Sequence, residues 1–327
     1  MSSPELLRLA RIARRFRREF KLDLSNTIVL TEAATGPFSV TAALAALAGA
    51  RVYAVARTNR YASARKSREA TSAIATKLQV KKRIQYIANT SLAPLQKIDI
   101  VTNSGNVRPV SPKILAKLPS HAVVSLMVEP WEVRKKDVDL QSAKKLGIVT
   151  AGCNERGRKV AVFHYLGSLL LHVLQKNKLS YRKKRVMLLC SNPFHPFLTR
   201  SVRSFGGFLT RKPELADLVV IATGPTQKIP KSVWRKLPRG VPIIQIWGNV
   251  SNTVRKNAFR WYPRRAPRPG HMGYLLSELG AEPAVRLIAA GLKVGQLLSR
   301  SRISGLNHAQ SRLKAVKSGF ALSPSRW

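Results

Sequence analysis

The chain has 327 residues, 45% of them hydrophobic, so it can bury a core, and its length suggests two domains. Its 58 Lys and Arg against 15 Asp and Glu give a formal net charge of +43. Self-repulsion of this size favours an anionic partner. Two cysteines, far apart in the chain, exclude a disulfide framework and a zinc-type site. We expect no transmembrane segment, because no apolar run approaches the roughly 18 residues that a span needs.

The first segment, residues 1–24, has the pattern of a basic amphipathic helix. It is similar to an organellar targeting segment, although its acidic residues Glu5 and Glu19 also fit a plain surface helix. The targeting interpretation predicts a mitochondrial location, with a cytoplasmic one as the alternative.

Residues 25–156 alternate strand and helix patterns. A β-branched run, Thr27–Leu30, precedes a Gly-Pro turn, an Ala/Leu-rich helix and the strand Arg51–Ala56, which together make a βαβ unit. Further strands are predicted at Arg83–Ile87, Ile98–Thr102, Ala122–Val128 and Gly147–Thr150. This alternation predicts a parallel, doubly wound sheet.

The pattern recurs after a predicted connecting helix. The segment from Asp99 to Pro119 has a counterpart from Asp217 to Pro238, with one residue of difference in spacing. The sequence therefore predicts an α/β fold of two tandem Rossmann-like, doubly wound domains with basic terminal extensions. The predicted divisions are an N-terminal helix at 1–24, domain 1 at 25–156, a connecting helix at 157–180, domain 2 at 181–262, a loop and return helix at 263–300, and an extended basic arm at 301–327.

On these segments, roughly residues 25–300, the chain resembles the superfamily of two-domain NAD(P)-dependent enzymes that includes D-2-hydroxyacid dehydrogenases and S-adenosylhomocysteine hydrolases. The resemblance implies a scaffold with a cleft between its halves. It does not specify a reaction, since no family-specific motif accompanies it.

The turn after the first strand is the candidate dinucleotide site. Gly36 and Ser39 stand in the turn, but Ala34 and Ser39 replace two glycines of the usual fingerprint. Arg57 and Thr58 stand where an acidic residue would bind ribose, so NADP is the better guess for a cofactor. The alternative is a degenerate turn whose pocket no longer binds nucleotide.

Carboxylates are scarce, and several cluster in one stretch. Glu129 and Glu155 each follow a predicted strand, where open α/β sheets place ligands, so either could be a catalytic base. Alternatively, these acids pair with Arg134, Lys135 or Arg156, or cap helices. His271, between glycines, is a third catalytic candidate or a structural histidine, and Cys153 is a weaker candidate nucleophile.

The basic residues gather in clusters beside aromatic residues, a pattern typical of phosphate binding with base stacking. A single cluster could be a solvated face, but the whole set predicts a polyanion partner. The predicted RNA-binding residues are Arg14, Arg15, Arg17, Arg18, Lys81, Lys82, Arg83, Lys183, Lys184, Arg264, Arg265 and Arg268.

Charge and scaffold together favour an RNA-binding structural component of a large ribonucleoprotein, an organellar ribosome being the most natural setting. Its partners would be RNA and neighbouring subunits. The competing hypothesis is an NADP-dependent oxidoreductase, or a related two-domain Rossmann enzyme, acting in the cleft between the halves.

Overall fold

The computed structural model describes residues 2–224, 227–256 and 258–323. The chain divides into two compact units, the first made of Met1–Ala161 with Gly280–Trp327 and the second of Val162–Leu279. Each unit carries a mostly parallel β-sheet with helices, so the predicted tandem Rossmann-like α/β fold is confirmed.

The elements are short and follow one another closely. The strands are β1 (Ile28–Glu32), β2 (Arg51–Val55), β3 (Ile84–Ile87), β4 (Ile100–Thr102), β5 (Val123–Leu126), β6 (Val149–Cys153), β7 (Arg185–Leu189), β8 (Phe208–Leu209), β9 (Leu218–Ala222), β10 (Pro242–Trp247), β11 (Arg260–Tyr262) and β12 (Ala321–Leu322). The helices are α1 (Ser3–Glu19), α2 (Val40–Leu47), α3 (Ala64–Lys77), α4 (Pro112–Leu115), α5 (Leu140–Lys145), α6 (Tyr165–Lys176), α7 (His195–Ser204), α8 (Lys231–Lys236), α9 (Asn252–Arg255), α10 (Ala281–Ile303) and α11 (His308–Lys317).

The sheet of the first unit has the order β12-β6-β5-β4-β1-β2-β3. All its pairs are parallel except β12 with β6, so β1 to β6 reproduce the 3-2-1-4-5-6 order of a Rossmann sheet. The order in which strands are added to the sheet changes direction between β1 and β4. Loops that follow these two strands border the crevice where such sheets bind ligands.

Helix α1 belongs to the body of the first unit. Ser2 and Glu5 form a capping box at its start, and its apolar face, including Leu9, Ala13 and Phe16, is buried against α2, α3 and α10. The arginines of the opposite face remain exposed. The amphipathic helix predicted for residues 1–24 is therefore present, but as a packed element and not as an extension.

Helix α10 lies directly on the first sheet, because two glycines let it approach closely. A Cβ at Gly291 would stand 2.6 Å from Met127, and one at Gly295 would stand 2.8 Å from Ile100. Ser125 Oγ donates a hydrogen bond to the Gly291 carbonyl at 2.5 Å. The return helix predicted near 282–298 is therefore an integral layer of the first unit.

The extended arm predicted for residues 301–327 is wrong for the part that the structure describes. Helix α10 continues to Ile303, α11 begins after the Asn307 cap, and β12 adds an antiparallel strand to β6. Ala315 of α11 and Ala321 of β12 are buried, which explains why these two elements pack on the first unit. Residues 324–327 of the predicted arm lie outside the described residues.

The sheet of the second unit has the order β11-β10-β9-β7-β8, and its pairs are parallel. Counted within the unit, this is the 2-1-3-4-5 order of flavodoxin-like sheets. One prediction needs correction here. The connecting helix predicted for residues 157–180 begins only at Tyr165, after Ala161 with its left-handed φ of 53°. The edge strand β11 lies at the end of the predicted second domain, 181–262.

Within the described ranges, no helix combines the length and the apolar character needed to cross a bilayer.

Candidate active site

The polar residues of the first unit concentrate at one edge of its sheet. Glu32 ends β1, Asn103 follows β4, Glu129 follows β5, and Glu155 follows β6. Because β1, β4, β5 and β6 run parallel, their carboxyl ends share this edge. The prediction that placed Glu129 and Glu155 at strand ends therefore brings them together.

Glu129 is completely buried and is held by Arg156. The Nε of Arg156 donates to both carboxylate oxygens at 3.0 Å, its backbone N–H donates to Oε1 at 3.1 Å, and Trp131 Nε1 donates to Oε2 at 2.8 Å. This hydrogen bond with Glu129 raises the pKa of Arg156. Glu129 is thus an ion-paired anchor, and Arg134, the other arginine considered as its partner, binds Asp137 instead, at 2.7 Å.

Glu132 and Glu155 form a second pair beside this anchor. The backbone N–H of Glu129 donates to Oε1 of Glu132 at 3.2 Å and to Oε1 of Glu155 at 3.1 Å. Burial, followed by the charge of Glu129, raises the pKa of Glu132 to about 8. Burial, followed by the charges of Glu132 and Glu129, raises the pKa of Glu155 well above its usual range. Both shifts favour the protonated forms of these carboxyls, because burial and the neighbouring carboxylate charges penalise ionisation.

Sequence reasoning did not select Glu132 as a catalytic candidate. The sequence signal for Glu132 was the segment Glu129-Pro130-Trp131-Glu132, because a tight turn that starts at the proline brings the last of these four residues back beside the first. Residues Pro130–Glu132 form a 3-10 turn, and Glu132 caps it at the Glu129 N–H. The turn thereby brings a third carboxyl to the two that were predicted.

Two of the other hypotheses for this stretch have simple outcomes. Cys153 is buried at 0% exposure, and burial followed by the charge of Glu155 raises its pKa well above the usual range, so its thiol is not an activated nucleophile. Asp139 caps α5 by accepting from Ser142 N–H at 2.9 Å. Across the residues that the structure describes, no group of three His, Cys, Asp or Glu side chains could hold a metal ion.

The candidate dinucleotide turn is closed by its own hydrogen bonds. Gly36 has a left-handed φ of 57° and opens a 3-10 turn in which the buried Ser39 hydroxyl donates back to the Gly36 carbonyl at 2.8 Å. Glu32 lies in the crevice beside it and accepts from the Asn106 N–H at 3.0 Å. Burial raises the pKa of Glu32. A carboxyl group thus lies where a pyrophosphate would need donors.

Arg57 and Thr58, predicted to accept a 2′-phosphate, hold loops together. An Nη of Arg57 donates to the Arg108 carbonyl, and Thr58 Oγ1 accepts from the Ala64 N–H at 3.1 Å. In the second unit, the corresponding turn contains Pro193, which has no N–H, and the Phe194 N–H donates to Asn192 Oδ1 at 2.9 Å. Neither turn therefore carries the glycine-rich fingerprint of a dinucleotide site.

His271 lies in the second unit, in the loop after β11, and is half-buried. Its backbone N–H donates to the Arg268 carbonyl at 2.9 Å, which closes a turn. The carboxyl cluster belongs to the first unit, so no single unit brings His271 and the glutamates together.

All twelve predicted RNA-binding residues are exposed at the surface. Two acids of the first unit pair with arginines outside this set, Asp23 with Arg300 and Glu19 with Arg286, whereas Glu282 pairs with Arg15, one of the twelve, at 2.7 Å. With 15 acids for 58 basic residues, most cations cannot be neutralised within the chain. The surface charge is therefore available to an external anion.

The geometry defines a two-domain Rossmann protein, and comparison with known proteins agrees at the level of the fold. No family model matches the chain, and no curated protein matches it. Among solved structures, it is similar to a dipicolinate synthase from Bacillus subtilis, with 10% identity over 87% of this chain and 99% of that one, and a TM-score of 0.57.

The corresponding dipicolinate synthase polypeptide from Bacillus halodurans gives 11% identity over 82% of this chain and 96% of that one, with a TM-score of 0.54. A Staphylococcus aureus NAD-dependent formate dehydrogenase, solved in complex with NAD, gives 13% identity over 82% and 92%, with a TM-score of 0.42. The likeness to the two dipicolinate synthase structures confirms the predicted two-domain Rossmann architecture as a fold.

Proposed function

We propose that this protein is a two-domain Rossmann enzyme whose first unit carries an acid–base centre formed by Glu132 and Glu155. The observation that carries the proposal is the meeting of these two carboxyls at the carboxyl edge of the sheet, where the Glu129 N–H donates to Glu132 at 3.2 Å and to Glu155 at 3.1 Å. Proton transfer at neutral pH requires a group whose pKa lies near 7, and the pKa of about 8 for Glu132 meets that requirement.

The roles follow from burial. Glu155 is 3% exposed, whereas Glu132 is only half-buried and is the member that solvent or substrate can reach. Glu129 and Arg156 fix the backbone that orients both carboxyls. The side chain of Arg156 is 43% exposed, and its positive charge favours an anionic substrate such as a carboxylic acid or phosphate ester.

The oxidoreductase form of the proposal also requires a hydride acceptor, for which a nicotinamide dinucleotide, NADP in particular, is the candidate. It is tested separately by titrating the protein with NADPH and NADH and repeating the titration with Arg57→Asp. Saturable NADPH binding that the substitution abolishes supports this form. Absence of binding, or binding that Arg57→Asp leaves unchanged, removes the nucleotide site and leaves acid–base chemistry alone.

The catalytic proposal is tested by incubating the protein with a metabolite extract, with and without added dinucleotides, and following depletion by mass spectrometry. We expect the wild type to consume an anionic metabolite and Glu155→Gln, which mimics the protonated carboxyl, to lose about 100-fold or more of that rate. Glu69→Gln, an exposed carboxyl on α3, is the control. Equal rates for Glu155→Gln and wild type, or no metabolite consumed by either, would contradict the proposal.

A second candidate is the RNA-binding structural component of a large ribonucleoprotein, with an organellar ribosome and a mitochondrial location as its natural setting. It is supported by the twelve predicted residues, all of them exposed, and by the excess of basic over acidic residues. The rigid sheets would hold their shape while surface cations neutralise phosphates. Sedimentation of the native protein with and without ribonuclease tests it: a shift from large particles to free protein is expected, and no shift contradicts it.

A further inference from the structure

A groove of about 1120 Å³ lies at the outer edge of the first sheet. Helix α3 and the edge strand β3 line it, together with Lys81 in the turn between them. Ile84 and Ile87 supply an apolar surface, and Arg65 and Arg68 supply positive charge. The groove therefore offers a ligand both apolar contact and positive charge.

Arg68 and Tyr86 make a stacking platform in this groove. The guanidinium of Arg68 lies 5.4 Å from the centroid of the Tyr86 ring, and the side chain of Arg68 is otherwise exposed. The outer face of a guanidinium plane stacks on nucleic-acid bases, as aromatic rings do. Burial raises the pKa of Tyr86, so its phenol stays neutral.

Positive charge continues from the groove onto the surrounding surface. Lys77, Lys82 and Arg83 are exposed beside it, and Arg14 of α1 donates to the Lys77 carbonyl at 3.3 Å, which joins the arginine face of α1 to this edge. Glu69 is the acid in the lining, and it faces Arg65 at 3.7 Å. A row of phosphates would therefore meet cations both inside and outside the groove.

We infer that this groove binds a single-stranded segment of RNA, with one base stacked on Arg68 and the adjoining phosphates on Arg65 and Lys81. The inference rests on RNA binding, the second candidate function. Exposed cations around one guanidinium that contacts an aromatic ring suit a flexible phosphodiester chain better than a duplex, whose bases are already stacked.

The test measures binding of a fluorescein-labelled 12-nucleotide RNA to the full chain at about 100 mM salt, using Arg68→Lys. This substitution keeps the charge and removes the plane. We expect Kd to rise about five- to tenfold, which corresponds to the lower end, about 1 kcal/mol, of the range for stacking of one base. Arg182→Lys, the same change at an exposed arginine of the second unit, is the matched control and should change Kd less than twofold.

The outcomes separate the groove from the general function. Tight binding with equal, small effects of Arg68→Lys and Arg182→Lys overturns the groove while RNA binding stands. No binding of the RNA by the wild type overturns both. An acidic peptide of equal charge that displaces the RNA, and whose own binding weakens equally in Arg68→Lys, assigns the groove to a protein partner and overturns the inference. Photocrosslinking of a 4-thiouridine 12-mer to the peptide that contains Tyr86 supports it.

Discussion

The paired carboxyls predict an unusual dependence of stability on pH. Glu132 binds its proton in the folded state up to about pH 8, whereas an ordinary glutamate releases it near 4.5. Between these values the native state holds more protons than the unfolded state, so the free energy of unfolding falls as pH rises. The contribution is complete below about pH 4.5 and is lost as pH rises through 8. Glu155 acts in the same direction.

The size of the effect follows from the shift. Moving a pKa from 4.5 to about 8 corresponds to roughly 5 kcal/mol as an upper bound, at 1.36 kcal/mol per unit. An ionised cluster can relax and admit water, so we expect the first unit to lose about 2 kcal/mol between pH 5 and 8.5. Glu132→Gln, which cannot ionise, should abolish most of that loss.

Cys153 offers an assay for the first unit alone, because it is buried there while Cys190 lies in the second unit. In a Cys190→Ser background, the urea midpoint is read from the alkylation of Cys153 at each pH, normalised to the unfolded rate. Glu69→Gln is the exposed control and should follow the wild type. The reasoning is refuted if the wild-type midpoint does not fall between pH 5 and 8.5, or if it falls equally in Glu132→Gln.

Three further predictions concern stability. Arg156→Ala should lower the free energy of unfolding of the first unit by about 3 kcal/mol in urea, because Glu129 is left buried without the Arg156 guanidinium. Arg156→Lys should recover only part of that free energy. Equal stability of the two variants would contradict the forked pairing of Arg156 with Glu129. Gly248→Ala should destabilise the second unit by about 3 kcal/mol in thermal unfolding, since the new Cβ would clash with Thr223 Oγ1. Gly240→Ala, at a glycine that also has a positive φ but no neighbour near the new Cβ, should cost only about 1 kcal/mol. Similar losses in the two variants would refute this prediction. Hydrogen bonds from Ser25 and then Arg300 lower the Asp23 pKa to about 2. Asp23→Asn should therefore remove the part of the stability that the wild type has at neutral pH and loses as pH falls from 4 to 2. An unchanged midpoint of acid unfolding would contradict this prediction.

The order of elements could be predicted because it depends on local patterns. Apolar runs separated by helices and turns indicated β1 to β6 and, by repetition, β7, β9 and β10. What failed depends on contacts between distant residues. Strand β12 is only two residues long and forms by pairing with β6, and α1 is a packed helix because its apolar face meets α2, α3 and α10.

The candidate site could be predicted in part for the same reason. Glu129 and Glu155 were found because each follows a strand, and parallel strands end at one edge. The ionisation of Glu132 and Glu155 could not be predicted, since it arises from burial and from three carboxyls meeting across 26 residues of chain. The sequence also could not show that Arg57 binds the backbone of the chain and not a phosphate group, because its hydrogen bond to the Arg108 carbonyl spans 51 residues.

The seat of α10 on Gly291 and Gly295 has a consequence for biosynthesis. The second unit is an insertion, so a ribosome completes all of it before making the helix that covers the first sheet. The part of the first unit that is made early, up to Ala161, therefore has β4 and β5 uncovered on that side while the second unit can already fold. A nascent chain halted near residue 279 would leave the first sheet without this cover and dependent on chaperones.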